Sequence, residues 1–337
     1  MGLAKEILDR RYKPWKVRFF VVTVPKPREI VAAHLRDRVV HHLIYERLAP
    51  LWEARFSKHS YACRVGKGPL QATKILAGFL KLHRTETLYY LKMDIANFFQ
   101  SINRDILRKQ LAAVKVDNET EYLIEETLAF DQVSHCEKMG SHWDKLPPHK
   151  SLFNVPKGIG LPIGNLTSQF FANVYLDDME HWLSAQKVDH ELLFCQRYVD
   201  DFLVIGRDPK RLANLASKFN DRLQNTLEIR LNPTKTEIQP VCRGIDHLGF
   251  IHKPTHLRIR NRVKASAKRV IMDVVRGPRE LDENFLAQVN SYLGIMGHAD
   301  TMRLRRRLVT PLTSEGTVFT RYDVDAIKVR KKVLFGF

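Results

Sequence analysis

Apolar positions along this chain change their period several times, and each change marks an element. Residues 18–24 are β-branched and aromatic and stop at Pro25-Lys26-Pro27, the pattern of a strand entering a turn. Val39, Val40, Leu43, Ile44, Leu48 and Leu51 recur at helical spacing and predict a helix over 37–52. A second helix is expected over 71–82, a buried strand ending in a carboxylate over 88–94, and helices over 104–114 and 119–128. Residues 134–160, with Pro147, Pro148, Pro156, Gly158 and Gly160, read as one long loop, and loops of that length inside a compact protein are functional or mobile. One amphipathic helix is predicted over 165–184. Next, 194–205 reads as two strands interrupted by Asp200-Asp201, then a helix over 210–227 and short strands at 228–231, 236–240 and 247–252. From about residue 263 the chain is expected to be mostly helical and basic. The order strand, helix, helix, strand, strand, helix, strand matches a split βαβ sheet with helices on one face, an α+β fold.

Composition changes this picture in one respect. The chain has 337 residues, 44% of them hydrophobic, enough for two or three packed subdomains and too many for wholesale disorder. Lys and Arg number 55 against 37 Asp and Glu, a net charge of +18, which favours a polyanionic partner, nucleic acid ahead of a membrane surface. The charge is uneven: +11 over 1–90, −3 over 91–250 and +10 over 251–337. Two basic flanks around a slightly acidic centre suggest phosphate-gripping walls beside carboxylates with another task. Solvated basic faces are the plainer alternative. The apolar runs are too short for a membrane span, and Lys5, Glu6, Asp9, Arg10 and Arg11 leave no secretory-signal core at the start. Cys63, Cys136, Cys195 and Cys242 lie far apart and form no CxxC pair, as expected of reduced thiols in a cytoplasmic protein. His135, Cys136 and His142 are close in sequence but make a poor metal site.

The candidate chemistry lies in the acidic centre. Asp94 closes the apolar run Leu88-Tyr89-Tyr90-Leu91-Lys92-Met93, and Asp200-Asp201 sit where a hairpin between apolar strands would turn. Adjacent acids there are costly unless something cationic binds them. Two strands of one sheet, each delivering an Asp, could hold two Mg²⁺ ions that activate a 3′-hydroxyl and stabilise leaving pyrophosphate. Ordinary turn chemistry, which favours Asp, is the competing account.

Several separated motifs bear on that choice. Tyr198-Val199-Asp200-Asp201 resembles the catalytic box of reverse transcriptases, and Lys92-Met93-Asp94-Ile95-Ala96-Asn97-Phe98-Phe99 resembles their first catalytic motif. Gly160-Leu161-Pro162-Ile163-Gly164-Asn165-Leu166-Thr167-Ser168-Gln169 is similar to the nucleotide-pocket motif, and His247-Leu248-Gly249-Phe250 to the primer-grip hairpin. Pro25-Lys26-Pro27-Arg28, Arg36-Asp37-Arg38 and His59-Ser60-Tyr61-Ala62-Cys63-Arg64 are similar to fingers motifs of the bacterial branch. The Ile163-Gly164…Ser168-Gln169 form resembles the enzymes of diversity-generating retroelements, where intron and retron enzymes carry Gln-Gly…Ser-Pro.

The resemblance implies a right-hand polymerase: fingers over 1–90 with 112–158 contributing, a palm with an antiparallel split βαβ sheet of RRM type over 91–111 and 159–252, and a helical basic thumb over 253–337. It implies an RNA-directed DNA polymerase making cDNA from a template RNA and dNTPs, error-prone, with two Mg²⁺ (Mn²⁺ as substitute) and a small basic accessory protein as partner. It assigns Asp94, Asp200, Asp201 and the Ile95 carbonyl to metal, and Lys235 to protonating pyrophosphate. Nucleotide binding falls to Lys26, Arg28, Phe99 (the gate against a 2′-hydroxyl), Ile163, Gly164 and Gln169; Phe98 is expected in the core. Nucleic-acid binding falls to Arg36, Arg38, His247, Leu248, Gly249, Lys264, Lys268, Arg303, Arg306 and Arg307, with Arg303, Arg306 and Arg307 on one helix face. A reverse transcriptase of antiphage defence is the alternative within enzymes. An inactive RNA-binding protein on a polymerase scaffold is the alternative outside them. An intron maturase is disfavoured because no DNA-binding or endonuclease extension follows the thumb.

Overall fold

The computed structural model describes residues 2–186, 192–275, 282–314, 318–323 and 326–331. In chain order the elements are α1 (Leu3–Leu8), β1 (Val17–Val22), β2 (Arg28–Ala32), α2 (Leu35–Glu53), α3 (Pro69–Leu82), β3 (Tyr89–Asp94), α4 (Phe98–Ser101), α5 (Arg104–Leu111), α6 (Asn118–Ala129) and β4 (Cys136–Met139). There follow α7 (Leu166–Tyr175), α8 (Asp177–Ala185), β5 (Leu192–Tyr198), β6 (Asp201–Gly206), α9 (Pro209–Leu227), β7 (Glu237–Pro240), β8 (Ile245–His247), β9 (Phe250–His252) and β10 (Leu257–Ile259). The chain continues through α10 (Asn261–Val275), α11 (Glu283–Gly297), α12 (Met302–Ser314), β11 (Val318–Asp323) and β12 (Ala326–Lys331). Two compact units result: Met1–Gly68 with Tyr89–Gln239, and Pro69–Leu88 with Pro240–Phe337.

The first unit is organised by a four-stranded sheet of order β5-β6-β3-β7, the split βαβ pattern expected from the sequence. Asp208 caps α9 by accepting from the Lys210 amide at 2.8 Å, with Pro209 at the first helical position where no amide partner is needed. Leu212, Leu215, Phe219, Leu223 and Leu227 then fall on one face and are buried, Phe219 meeting Phe202 of β6 edge-on at 4.9 Å. Each such side chain contributes about 1.5–3 kcal/mol, which makes α9 a rigid support beneath the strands. The predicted helix over 165–184 is two helices. It breaks at Leu176, and Gln110 Nε2 takes the Tyr175 carbonyl at 3.2 Å.

A smaller sheet of order β2-β1-β4 contains the strand predicted before Pro25-Lys26-Pro27, which the turn returns as a hairpin with β2. The segment 134–160, expected to be all loop, contributes β4 in parallel pairing with β1 and three 3₁₀ turns. It is stapled down by Glu29 of β2, which is 3% exposed and accepts from Ser151 Oγ (2.7 Å) and the Leu152 amide (2.9 Å).

In the second unit, β8, β9 and β10 form a meander, and α3 packs against β9. Phe285, Val289, Leu293 and Met296 of α11 share a core with Ala267, Val270 and Ile271 of α10 and Leu308, Val309 and Leu312 of α12. The C-terminal region was expected to be mostly helical, but it ends in the antiparallel hairpin β11–β12. Ile327-Lys328-Val329-Arg330 alternates with the period of two that such strands show.

Candidate active site

The sheet register brings the acids together. β3 runs antiparallel to β6 with Asp94 opposite Asp201, and β5 pairs with β6 so that Tyr198 opposes Asp201. Val199 and Asp200 are therefore the two turn residues of a tight hairpin. Val199 has φ 58, a conformation that hairpins of this kind usually give to glycine and that costs a β-branched residue about 1–3 kcal/mol. Behind Asp94, the chain after α9 runs alongside: the Asn232 amide donates to the Asp94 carbonyl (2.7 Å) and the Ala96 amide to the Arg230 carbonyl (3.0 Å).

Asp94 is 8% exposed, and Lys235 Nζ donates to both its carboxylate oxygens, at 2.7 and 2.8 Å. Asp201 has Lys92 Nζ at 4.0 Å. Burial, then the charges of Asp94 and Asp201, push Asp200 up to about 7. Three acids thus share a place whose negative charge two lysines do not fully offset. Among the described residues, no three His, Cys, Asp or Glu side chains form a ready metal cage.

Beside the acids, Phe98 is buried and Phe99 half-buried, their rings 5.5 Å apart, and the Phe99 carbonyl accepts from the Leu161 amide at 2.7 Å. That bond fixes the start of the 161–169 segment. Its next tie is to β2, where the Val31 amide donates to the Ile163 carbonyl at 2.8 Å. Gly164 follows with φ +131, and a Cβ there would lie 2.2 Å from the Val31 carbonyl oxygen, so only glycine fits. Ile163 is half-buried, while Gln169 is exposed and accepts from Cys63 Sγ at 3.3 Å. Lys26 and Arg28 stand exposed on the β1–β2 hairpin.

A family model described as reverse transcriptase (RNA-dependent DNA polymerase) matches residues 23–252, most of the chain and all of this constellation. The chain belongs to the reverse transcriptase family. This reverse transcriptase is 23% identical over 326 residues to protein YkfC of Escherichia coli (strain K12), covering 86% of this chain and 78% of YkfC. A 112-residue stretch, 31% of this chain and 15% of the relative, is 30% identical to nuclear intron maturase 1, mitochondrial, of Arabidopsis thaliana. Apo telomerase from Candida tropicalis aligns with TM-score 0.53 at 12% identity over 90% of this chain and 59% of that one. Telomerase from Candida albicans, in complex with a TWJ fragment of telomeric RNA, aligns with TM-score 0.51 at 13% identity over 93% and 56%. The reverse transcriptase spans little more than half of these telomerases, and what it shares with them is the fold, an α+β right-hand polymerase.

The remaining site residues divide sharply. Arg36 is drawn inward: its guanidinium pairs with Glu6 and lies 5.1 Å from the Tyr12 ring centroid and 4.7 Å from that of Trp15. It is engaged as an internal tie, whereas Arg38 is exposed and donates from Nε to the Ala33 carbonyl at 2.9 Å. His247 is fully buried in the second unit, which places only Leu248 and Gly249, both at positive φ, at the tip of the β8–β9 hairpin. Lys264 and Lys268 are exposed on α10, and Arg303, Arg306 and Arg307 on α12, while Arg305 faces the core. One residue that sequence reasoning passed over is Arg197, 1% exposed, which reaches the Val199–Asp200 turn from β5. Its signal is a lone guanidinium in a strand-like stretch, after Leu192-Leu193-Phe194-Cys195 and before Tyr198-Val199.

Proposed function

We propose that this reverse transcriptase is an active RNA-directed DNA polymerase that copies a template RNA into cDNA, of the error-prone kind found in diversity-generating retroelements. The observation that carries polymerase activity is the register of Asp94 opposite Asp201, with Asp200 in the adjoining turn. Hard carboxylate oxygens with surplus negative charge suit Mg²⁺. Asp94, Asp200, Asp201 and the Ile95 carbonyl would hold it, and it would supply Lewis-acid stabilisation of the attacking and leaving oxygens. Lys235, already on Asp94, would give a proton to the leaving group, and Phe99 would press on the sugar of the incoming nucleotide. Lys26 and Arg28 offer exposed cations for a triphosphate, and the basic faces of α10 and α12 suit a phosphate backbone.

The error-prone reading rests on Ile163. An amide side chain in its place could hydrogen-bond near the incoming base, and a site lacking such a contact rejects wrong partners less strongly. Primer extension on an RNA template with Mg²⁺ tests the activity itself. The wild-type chain extends the primer and Asp200→Asn does not; extension by the variant would remove the metal assignment.

A further inference from the structure

Arg197 is bound on every side. Its Nε donates to Glu180 Oε1 at 2.6 Å, Nη1 to Asn173 Oδ1 at 3.1 Å and to the Val199 carbonyl at 2.9 Å, and Nη2 to Ser60 Oγ at 2.9 Å. Its backbone is engaged too, the amide donating to the His59 carbonyl (2.9 Å) and the carbonyl accepting from the Tyr61 amide (3.1 Å). Glu180, Asn173 and Ser60 are themselves 3%, 2% and 0% exposed. One guanidinium thus joins the 57–64 loop, helices α7 and α8, and the turn that carries Asp200.

Stability alone does not account for this pair. Replacing a buried ion pair by apolar groups of the same volume is often neutral or stabilising. What an apolar pair could not do is hold the Val199 carbonyl, and that is where the turn is strained. A planar fork with fixed donor directions can fix one carbonyl while its other edges are held by three further acceptors. The 57–64 loop also carries Cys63, which contacts Gln169, so the same network reaches the segment that follows Ile163.

We infer that Arg197 is a positioning residue: it holds the Val199 carbonyl so that the strained turn presents the Asp200 carboxylate to a divalent cation. The inference rests on the polymerase reading for its purpose, but its geometry concerns cation binding alone. Outer groups that orient ligands typically change metal affinity by about 10–100-fold.

Three variants test it: Arg197→Lys, which keeps the charge and loses the fork; Arg197→Met with Glu180→Gln, which removes both charges together; and Glu180→Gln alone, which leaves the Arg197–Val199 bond. Mn²⁺ binding by electron paramagnetic resonance, without substrate, is read beside thermal denaturation and primer extension. Both Arg197 variants bind Mn²⁺ about tenfold more weakly and need correspondingly more Mg²⁺ for half-maximal extension. Glu180→Gln loses thermal stability but keeps its Mn²⁺ affinity. Wild-type Mn²⁺ affinity in the Arg197 variants overturns the inference, as does an equal loss in Glu180→Gln, which would mark the network as structural only. A wild-type chain that binds Mn²⁺ but extends no primer removes the polymerase reading and leaves the Arg197 comparison intact.

Discussion

Lys235 grips Asp94 at both carboxylate oxygens, 2.7 and 2.8 Å from the ammonium nitrogen. The lysine is half exposed and comes from a turn 141 residues away, so sheet topology and not local sequence creates the pair. On the proposed reading, in which Asp94 holds a divalent cation, an ammonium on both its oxygens competes with that cation. On the same reading it would also protonate the departing oxygen. Lys235→Met is therefore expected to bind Mn²⁺ more tightly while lowering kcat about 10²-fold, the scale of a lost general acid. Opposite movement of the two readouts is the signature; a parallel fall in both would make Lys235 merely structural.

Ile163 offers a test of copying accuracy. Ile163→Gln places an amide where the present side chain has no hydrogen-bonding group, and misincorporation opposite template adenine is expected to fall. Sequencing of cDNA made from a defined RNA reads the outcome, and an unchanged error spectrum defeats the link between this residue and fidelity.

Gly164 meets a harder constraint. A methyl group 2.2 Å from the Val31 oxygen, at φ +131, cannot be relieved by a side-chain rotation because the obstacle is backbone. Gly164→Ala should cost about 2–4 kcal/mol in denaturant unfolding, the range of strained backbone positions and overpacked contacts. A variant as stable as wild type would show that β2 can draw away from the segment.

His41 supplies a pH dependence. It is 7% exposed, it contacts Thr167 Oγ1 at 2.9 Å, and burial, then the charge of His42, push it down to about 4. The unfolded chain, with an ordinary histidine near 6.5, binds more protons between those values, so stability is full above 6.5 and falls as pH drops toward 4. By pH 4.5 the loss from this group is about 2–3 kcal/mol. His41→Gln, able to keep a bond to Thr167, should flatten that part of the profile measured by urea unfolding at successive pH values.

The split βαβ sheet, the two acid-bearing strands and helix α9 were legible because each depends on local periodicity and on which residues end a strand. Phe98 was read correctly as core. The pieces that were not legible depend on distant partners. Arg36 and Arg38 look alike in sequence, yet Glu6, Tyr12 and Trp15 claim the first and leave the second exposed. His247 sits in a motif that suggests contact with nucleic acid, but its strand face is the inner one. β4 was hidden in a proline-rich stretch because its pairing with β1 crosses over a hundred residues of chain. The break at Leu176 has no glycine or proline to announce it.

The second unit is discontinuous in the chain, and this has a consequence for synthesis. Helix α3, with Ala72, Leu76 and Leu80 almost fully buried, packs against β9, which is made long after it. At roughly 5–20 residues per second, its apolar face waits on the order of ten to thirty seconds after leaving the ribosome. Over that interval Tyr89–Gln239 of the first unit are themselves being made, and the looped-out helix still lacks its docking strand. Newly made chains would then pass through an adhesive stage that the finished protein conceals.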